Sequence, residues 1–249
     1  MTSDGLHTLG RWSVDRALAT PERIAIDDRG VVLTYRELED RSSRLADSFI
    51  DAGYGVGDRI ATLTGNSADH VVLFFACAKA GLVLVPLSWR LSPRELAQQL
   101  EQSRPALLLV EDEFDSLATA ALELLVSSPP TGGLGVGGIE REMVAPARGG
   151  GAGGIRRAVE DDDALLIMFT SGTLDRAKGA ILTHANCFWT NLSLSRITEI
   201  TSSDTVLAVM DFEEARLGDE AQRLIDLRNE CRRNRKWKEA DEIRDRLLA

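Results

Sequence analysis

The sequence predicts an α/β protein with a largely parallel sheet, on two observations. Short apolar runs alternate with longer stretches of helical period, and the spacing between them leaves room for crossover helices. Turn and capping signals also stand at the junctions where one kind of run gives way to the other.

Leu9, Trp12, Val14 and Leu18 outline a first amphipathic helix, which stops at Thr20-Pro21 because proline disfavours helix in the residue before it. Ile24-Ala25-Ile26 is a strand, Asp28-Arg29-Gly30 a turn, and Val31-Val32-Leu33 the returning strand. Thr34 and Glu37 then have the spacing of a capping box, opening a helix that turns Leu38, Leu45, Phe49 and Ile50 inward. A strand follows from Asp58 to Leu63, a helix from Ser67 to Ala80 that ends at Gly81, and a strand from Leu82 to Val85 before Pro86. Ser92-Pro93 begins another helix, with a cap and a proline at the first position, and Ala106 to Val110 is one more apolar strand.

The pattern breaks at Ser127. From there to Gly154 the chain reads SSPPTGGLGVGGIEREMVAPARGGGAGG, a composition expected to form a flexible surface linker without regular structure. Its glycines lack the preceding strand and following helix that a phosphate-binding role needs. Asp161-Asp162-Asp163 is expected to be solvated charge. After Met210 about half the residues are charged, with both signs interspersed, and two short helical faces (Leu217, Ala221, Leu224; Trp237, Ala240, Ile243) flank RRNRK, which predicts a helical hairpin. The expected organisation is an α/β part over 1–126, a Gly/Pro-rich linker over 127–160, a second α/β segment over 161–210 and a charged helical tail over 211–249.

Bulk composition narrows the function classes. A formal charge of -10 and a pI of about 4.9 argue against general affinity for nucleic acid. No apolar run reaches the roughly 18 to 20 residues of a membrane span. The three cysteines, Cys77, Cys187 and Cys231, lie far apart in no metal-ligand spacing, which fits a reducing cytoplasm; Cys77 in FFACAKAG is expected to be a core residue, and Cys187 likewise.

Chemistry concentrates in IMFTSGTLDRAKGAILTHAN, residues 167–186. An apolar run, Ala164 to Phe169, enters a loop of hydroxyls, glycines and one lysine, and a second apolar run leads to Thr183, placed to cap a helix. Hydroxyls of Thr170, Ser171 and Thr173 can donate to phosphate oxygens, Gly172 and Gly179 allow close backbone approach, and Lys178 supplies a point charge. The frame is not that of the nucleotide-triphosphatase P-loop, since Ala177 stands where its second glycine belongs. On residues alone, a phosphate cradle and an ordinary polar turn fit equally well.

The loop resembles the signature of adenylate-forming enzymes, the AMP-binding superfamily of acyl-CoA synthetases, luciferases and peptide-synthetase adenylation domains, whose usual form is TSGTTGxPKG. LTYRELEDRSSRLA, GVGDRIATLTGNSADHVVLFFACAKAGLVLVPLSWRLSPRELAQQL and SDTVLAVM extend the resemblance over roughly Gly10 to Met210, with VPLSWRLSPREL nearest to fatty-acyl and related acyl-CoA synthetases. It implies the N-terminal part of that fold, with mixed, largely parallel sheets and flanking helices. It also implies a two-step reaction: a carboxylic or fatty acid attacks the α-phosphorus of Mg2+-bound ATP, and the thiol of CoA then takes the acyl group from acyl-AMP. Thr170, Ser171, Gly172, Thr173, Lys178 and Gly179 would hold the β and γ phosphates, and His184 matches the histidine that follows the loop. His7 and His70 are expected to be structural or exposed.

Two departures bear on activity. Leu174-Asp175 replaces the family's Thr-Gly and Ala177 its proline, which exchanges a hydroxyl and a glycine for a carboxylate beside a polyphosphate and predicts weakened ATP binding. The family's YGxTE segment, ribose-binding TGD aspartate, hinge and catalytic lysine have no counterpart in these residues, so the chain corresponds to a truncated synthetase. Such a fragment is expected to expose an unpaired sheet edge and apolar surface, and to associate. Arg223 to Leu248 is similar to the C-terminal helical region of cysteinyl-tRNA synthetases. The second function class is therefore a non-catalytic chimera whose tail, through Arg232, Arg233, Arg235 and Lys236, contacts RNA or a protein partner.

Overall fold

The computed structural model describes residues 5–134, 158–170, 177–198, 200–201 and 204–206. Nearly all of these belong to one unit ending at Asp204, and a second unit begins at Thr205. The predicted helical tail over 211–249 lies outside the described residues.

The N-terminal elements carry their signals locally. Helix α1, Gly10–Ala19, ends where Thr20 N–H donates to Arg16 O at 2.8 Å, one residue before Pro21. Its buried face differs from the predicted one: Gly10 and Ser13 are buried, whereas Val14 and Leu18 are exposed. A Cβ at Gly10 would sit 3.2 Å from Ala78 O, so this face is chosen by close backbone approach to a neighbouring helix rather than by apolar bulk. Strands β1, Ile24–Asp28, and β2, Val31–Thr34, form a separate antiparallel pair. Their turn has positive φ at both Arg29 and Gly30, the geometry whose twist matches a two-residue hairpin. The predicted capping box opens α2, Tyr35–Asp51: Glu37 N–H donates to Thr34 Oγ1 at 3.2 Å, and Thr34 N–H donates to Glu37 Oε2 at 2.8 Å. Leu38, Ser42, Leu45, Ala46 and Phe49 then fall on one helical face and are buried.

The main sheet has six strands. β3, Arg59–Leu63, β4, Val83–Leu87, and β5, Leu107–Val110, are parallel, with β3 between the other two. Helix α3, Ala68–Ala80, connects β3 to β4; Ser67 caps it and Gly81 ends it at φ +73°, where a Cβ would meet Val56 at 2.8 Å. Helix α4, Pro93–Ser103, opens with the Ser92 and Glu95 capping box and leads back across β3 to β5. Helix α5, Asp115–Leu122, follows. Residues on alternate sides of the strands feed two cores. Ile60, Leu84, Leu107 and Leu109 pack with α2 and α3 on one face. Ala61, Leu63, Val85, Leu108 and Val110 pack with α4 and α5 on the other. Ion pairs tie α2 to α3, Arg41 to Asp69 at 2.6 Å and Glu39 to Lys79 at 2.7 Å.

Two expectations need correction here. Regular structure continues past Ser127: β6, Thr131–Gly133, adds in parallel to β5, and Leu134 is fully buried. Its hydrogen bonds come from the neighbouring strand, Leu108 N–H to Pro130 O and Leu134 N–H to Val110 O, so its own glycines do not prevent pairing. The remainder of the predicted linker, 135–157, lies outside the described residues. Strand β4 also runs through Pro86. Val83 N–H points at β3, donating to Asp58 O, so the alternating donors place the nitrogen of Pro86 on the opposite side. That side faces β7, Ala164–Thr170, which pairs with β4 only at Leu84 and Leu166. The missing donor therefore falls where the ladder has already ended. Strand β8, Lys178–Thr183, closes the order β6-β5-β3-β4-β7-β8 as its antiparallel member, and α6, His184–Ile197, follows it directly.

Candidate functional site

The candidate site begins at the end of a hairpin. Strands β7 and β8 pair from Ala164 opposite Thr183 to Thr170 opposite Lys178, so the two flanking residues of the hydroxyl-and-glycine loop are held side by side. Thr170 Oγ1 lies 3.4 Å from Lys178 O, and both residues are exposed. Gly179 sits opposite Phe169, and a Cβ there would approach Ile167 at 3.0 Å and Phe169 at 3.4 Å. A side chain at 179 would thus press on the layer beneath the loop, a packing reason for glycine that the sequence alone does not reveal. Of the six predicted phosphate-binding residues, Thr170, Lys178 and Gly179 are brought together; Ser171, Gly172 and Thr173 lie outside the described residues, as do Leu174 and Asp175.

The hairpin opens beside the carboxyl ends of three parallel strands. The connection after β3 leaves toward the α3 face and that after β4 toward the α4 face, so the strand order reverses between their ends, the topological switch point where open α/β sheets take ligands. Around it, Gly65 N–H donates to Glu111 Oε2 at 2.7 Å, fixing the loop after β3 to the end of β5. Trp89 stacks on Phe114 with ring centroids 5.8 Å apart, and the Arg90 guanidinium lies 4.9 Å from the Trp89 ring. Trp89 and Phe114 share a packed cluster with Ile167 and Phe169, so this wall continues into β7. Sequence reasoning did not single out Trp89, Arg90 or Glu111. A switch point is a property of strand order, and no local pattern in the sequence announces it.

A hydroxyl and an ammonium at the hairpin mouth fit a polyphosphate, the one donating a hydrogen bond and the other supplying charge. Among the described residues no group of three His, Cys, Asp or Glu is placed to hold a metal ion, and no helix is long and apolar enough to cross a membrane.

His7, His184 and the aspartate run belong elsewhere. At the far end of the hairpin, Asp161 is buried, accepting His7 N–H at 2.9 Å and meeting His7 Nδ1 at 2.7 Å. The expectation that 161–163 is solvated charge fails at this residue. His184 is fully buried at the start of α6; its Nδ1 accepts Leu9 N–H at 3.1 Å, which leaves the ring proton on Nε2, and its own N–H donates to Asp163 O. His184 and His7 thus anchor the N-terminal segment. His70 is on α3, with Nε2 3.4 Å from Thr62 Oγ1.

The AMP-binding enzyme family matches residues 14–213. A feruloyl-CoA synthase of Amycolatopsis sp is 34% identical over 211 residues, 84% of this chain and 40% of that protein. A fatty acid acyl-carrier-protein ligase, ScoC, of Streptomyces coeruleorubidus is 33% identical over 183 residues, 74% of this chain and 34% of that protein. A solved fatty acyl CoA synthetase of Mycobacterium tuberculosis superposes with a TM-score of 0.59 at 28% identity, over 73% of this chain and 35% of that one. The chain spans about 40% of the length of the first of these relatives. With the family matched over most of the chain, and the loop's flanking residues paired at the carboxyl edge of a largely parallel sheet, the chain belongs to the AMP-binding enzymes and has acyl-CoA ligases among its homologues.

Proposed function

We propose that this chain binds the triphosphate of ATP in the loop between β7 and β8, as part of a protein that activates a carboxylic or fatty acid as its acyl-adenylate and passes it to the thiol of CoA. The observation that carries the reading is the pairing of Thr170 with Lys178, which sets a hydroxyl and a cation on the same loop mouth. In the first step the carboxylate oxygen bonds to the α-phosphorus and the bond to the β,γ-pyrophosphate breaks. Negative charge gathers on the leaving group, and donors already in place stabilise it without reorganising. Thr170, Ser171, Gly172, Thr173, Lys178 and Gly179 supply those donors and the close backbone approach. Magnesium enters with the nucleotide. The relatives named for feruloyl-CoA and fatty-acid ligation support the reaction class and leave the acyl group of this chain open.

The division into 1–126, 161–210 and 211–249 is part of the same proposal, with the first two segments as pieces of one nucleotide-binding domain whose sheet also takes in β6 from 127–160.

Calorimetric titration with Mg-ATP tests the reading. Saturable heat is expected from the native chain, with affinity reduced at least tenfold in Lys178→Ala. A chain shown to be folded by circular dichroism that gives no saturable heat overturns it.

A further inference from the structure

We propose that residues 5–9 form a pH-sensitive latch, held closed by a neutral His184 ring and released when that ring takes up a proton. The segment lies along the residues that lead into β7. Gly5, at φ +60°, leaves no room for a side chain, since a Cβ would sit 2.6 Å from Val159 O. The His7 N–H and ring Nδ1 both meet the Asp161 carboxylate, and the ring packs on Phe188 and Trp189 with centroids 4.6 and 5.3 Å away. Leu9 is buried with Ala78 and Leu165, and its N–H donates to His184 Nδ1 at 3.1 Å.

That last bond exists in one protonation state. In the neutral ring Nδ1 accepts and Nε2 carries the proton, whereas in the charged ring both nitrogens are donors. Protonation therefore sets one donor against another at Leu9. The other nitrogen offers no compensation, because the ring is fully buried and Nε2 has no hydrogen-bond partner among the described residues. A buried charge and two opposed donors both favour the open segment. Asp161 and Asp163 face the ring and favour its charged form, but burial outweighs them and holds the imidazole below its ordinary value. Around Leu9 the packing is uncharged: α1 brings Trp12, with Arg11 and Asp15 exposed; α3 brings Phe74 and Ala78, with Lys79 bound to Glu39 and Gly10 O; and α6 brings Phe188 and Cys187, whose thiol burial keeps protonated. His7 donates from Nδ1 to Asp161 in either of its states, so its own charge strengthens the hold that His184 releases. This inference does not rest on nucleotide binding.

Hydrogen exchange of the full chain, read by mass spectrometry at about pH 7.5 and about pH 5.5 and corrected for the intrinsic pH dependence of exchange, tests it. A latch that refuses one proton at a ring of ordinary value 6.5 opens about tenfold more readily at the lower pH. Protection of the amides from His7 to Trp12 should fall by that factor, while α4, which contains no histidine, keeps its own. His184→Asn retains an acceptor for Leu9 N–H and does not titrate, so its segment should be equally protected at both values. His7→Gln removes the opposing charge and should show a fall at least as large as the native chain; circular dichroism reports the folding of each variant. The proposal is overturned by equal protection of the native segment at the two values, by its loss in step with α4, or by a tenfold fall that persists in folded His184→Asn. Should His184→Asn not fold, a smaller fall in His7→Gln than in the native chain overturns it.

Discussion

Burial holds the imidazoles of His70 and His184 below their ordinary pKa, and Asp161 is held ionised by His7. For Asp161, burial pushes the carboxyl up, but the bonds from the His7 backbone and ring outweigh it and lower the carboxyl below its usual value. The signs combine. Below the ordinary histidine value of 6.5 the unfolded chain binds protons at His70 and His184 that the folded chain refuses, so stability is full above that value and falls as pH drops. Asp161 adds a contribution present above its ordinary 3.8 and lost as pH falls through its lower folded value. The denaturation midpoint is therefore expected to decline from about pH 7 to about pH 5, and to decline less steeply in His184→Asn. A flat profile in the native chain would contradict this. Burial likewise pushes the Cys77 and Cys187 thiols up. Native Cys77 should resist a thiol reagent that modifies it fully in denaturant. At the loop, replacing Leu174 with Thr and Asp175 with Gly removes a carboxylate from beside a polyphosphate; Mg-ATP affinity should rise by about tenfold, roughly 1.4 kcal/mol, read by the same titration.

At the scale of elements, what the sequence reveals follows how local the chemistry is. The capping pairs Thr34 with Glu37 and Ser92 with Glu95 are three residues apart; the first closes as its spacing predicts, and at the second the predicted Ser92 cap is joined by Glu95. Each is expected to contribute about 1 kcal/mol, so Thr34→Ala and Ser92→Ala should each lower the unfolding free energy in denaturant titration by that amount. The inward face of α1 is decided by the approach of α3, the pairing of β6 by the edge of β5, and the run of β4 through Pro86 by where β7 departs. Each of these depends on a partner distant in sequence. The candidate site divides in the same way: Thr170, Lys178 and Gly179 stand in a recognisable loop, whereas Trp89 and Arg90 come to its side only through the strand order.

Over the whole molecule, a well-buried sheet centre grades into a sparsely covered margin. Ile60, Leu73, Leu82 and Leu107 are sealed between layers, while β8 and the later turns of α6 lie open. Among the described residues β8 pairs with β7 on one side only. Besides packing on α3, the N-terminal segment is secured from that later part of the chain: His7 bonds to Asp161 across 154 residues, and Leu9 to His184 across 175. During synthesis at about 5–20 residues per second, those first residues wait on the order of ten seconds for their partners to leave the ribosome. For that interval Leu9 and Trp12 have nothing to dock against on α6, and a nascent-chain protease or chaperone meets the N-terminus before the fold does.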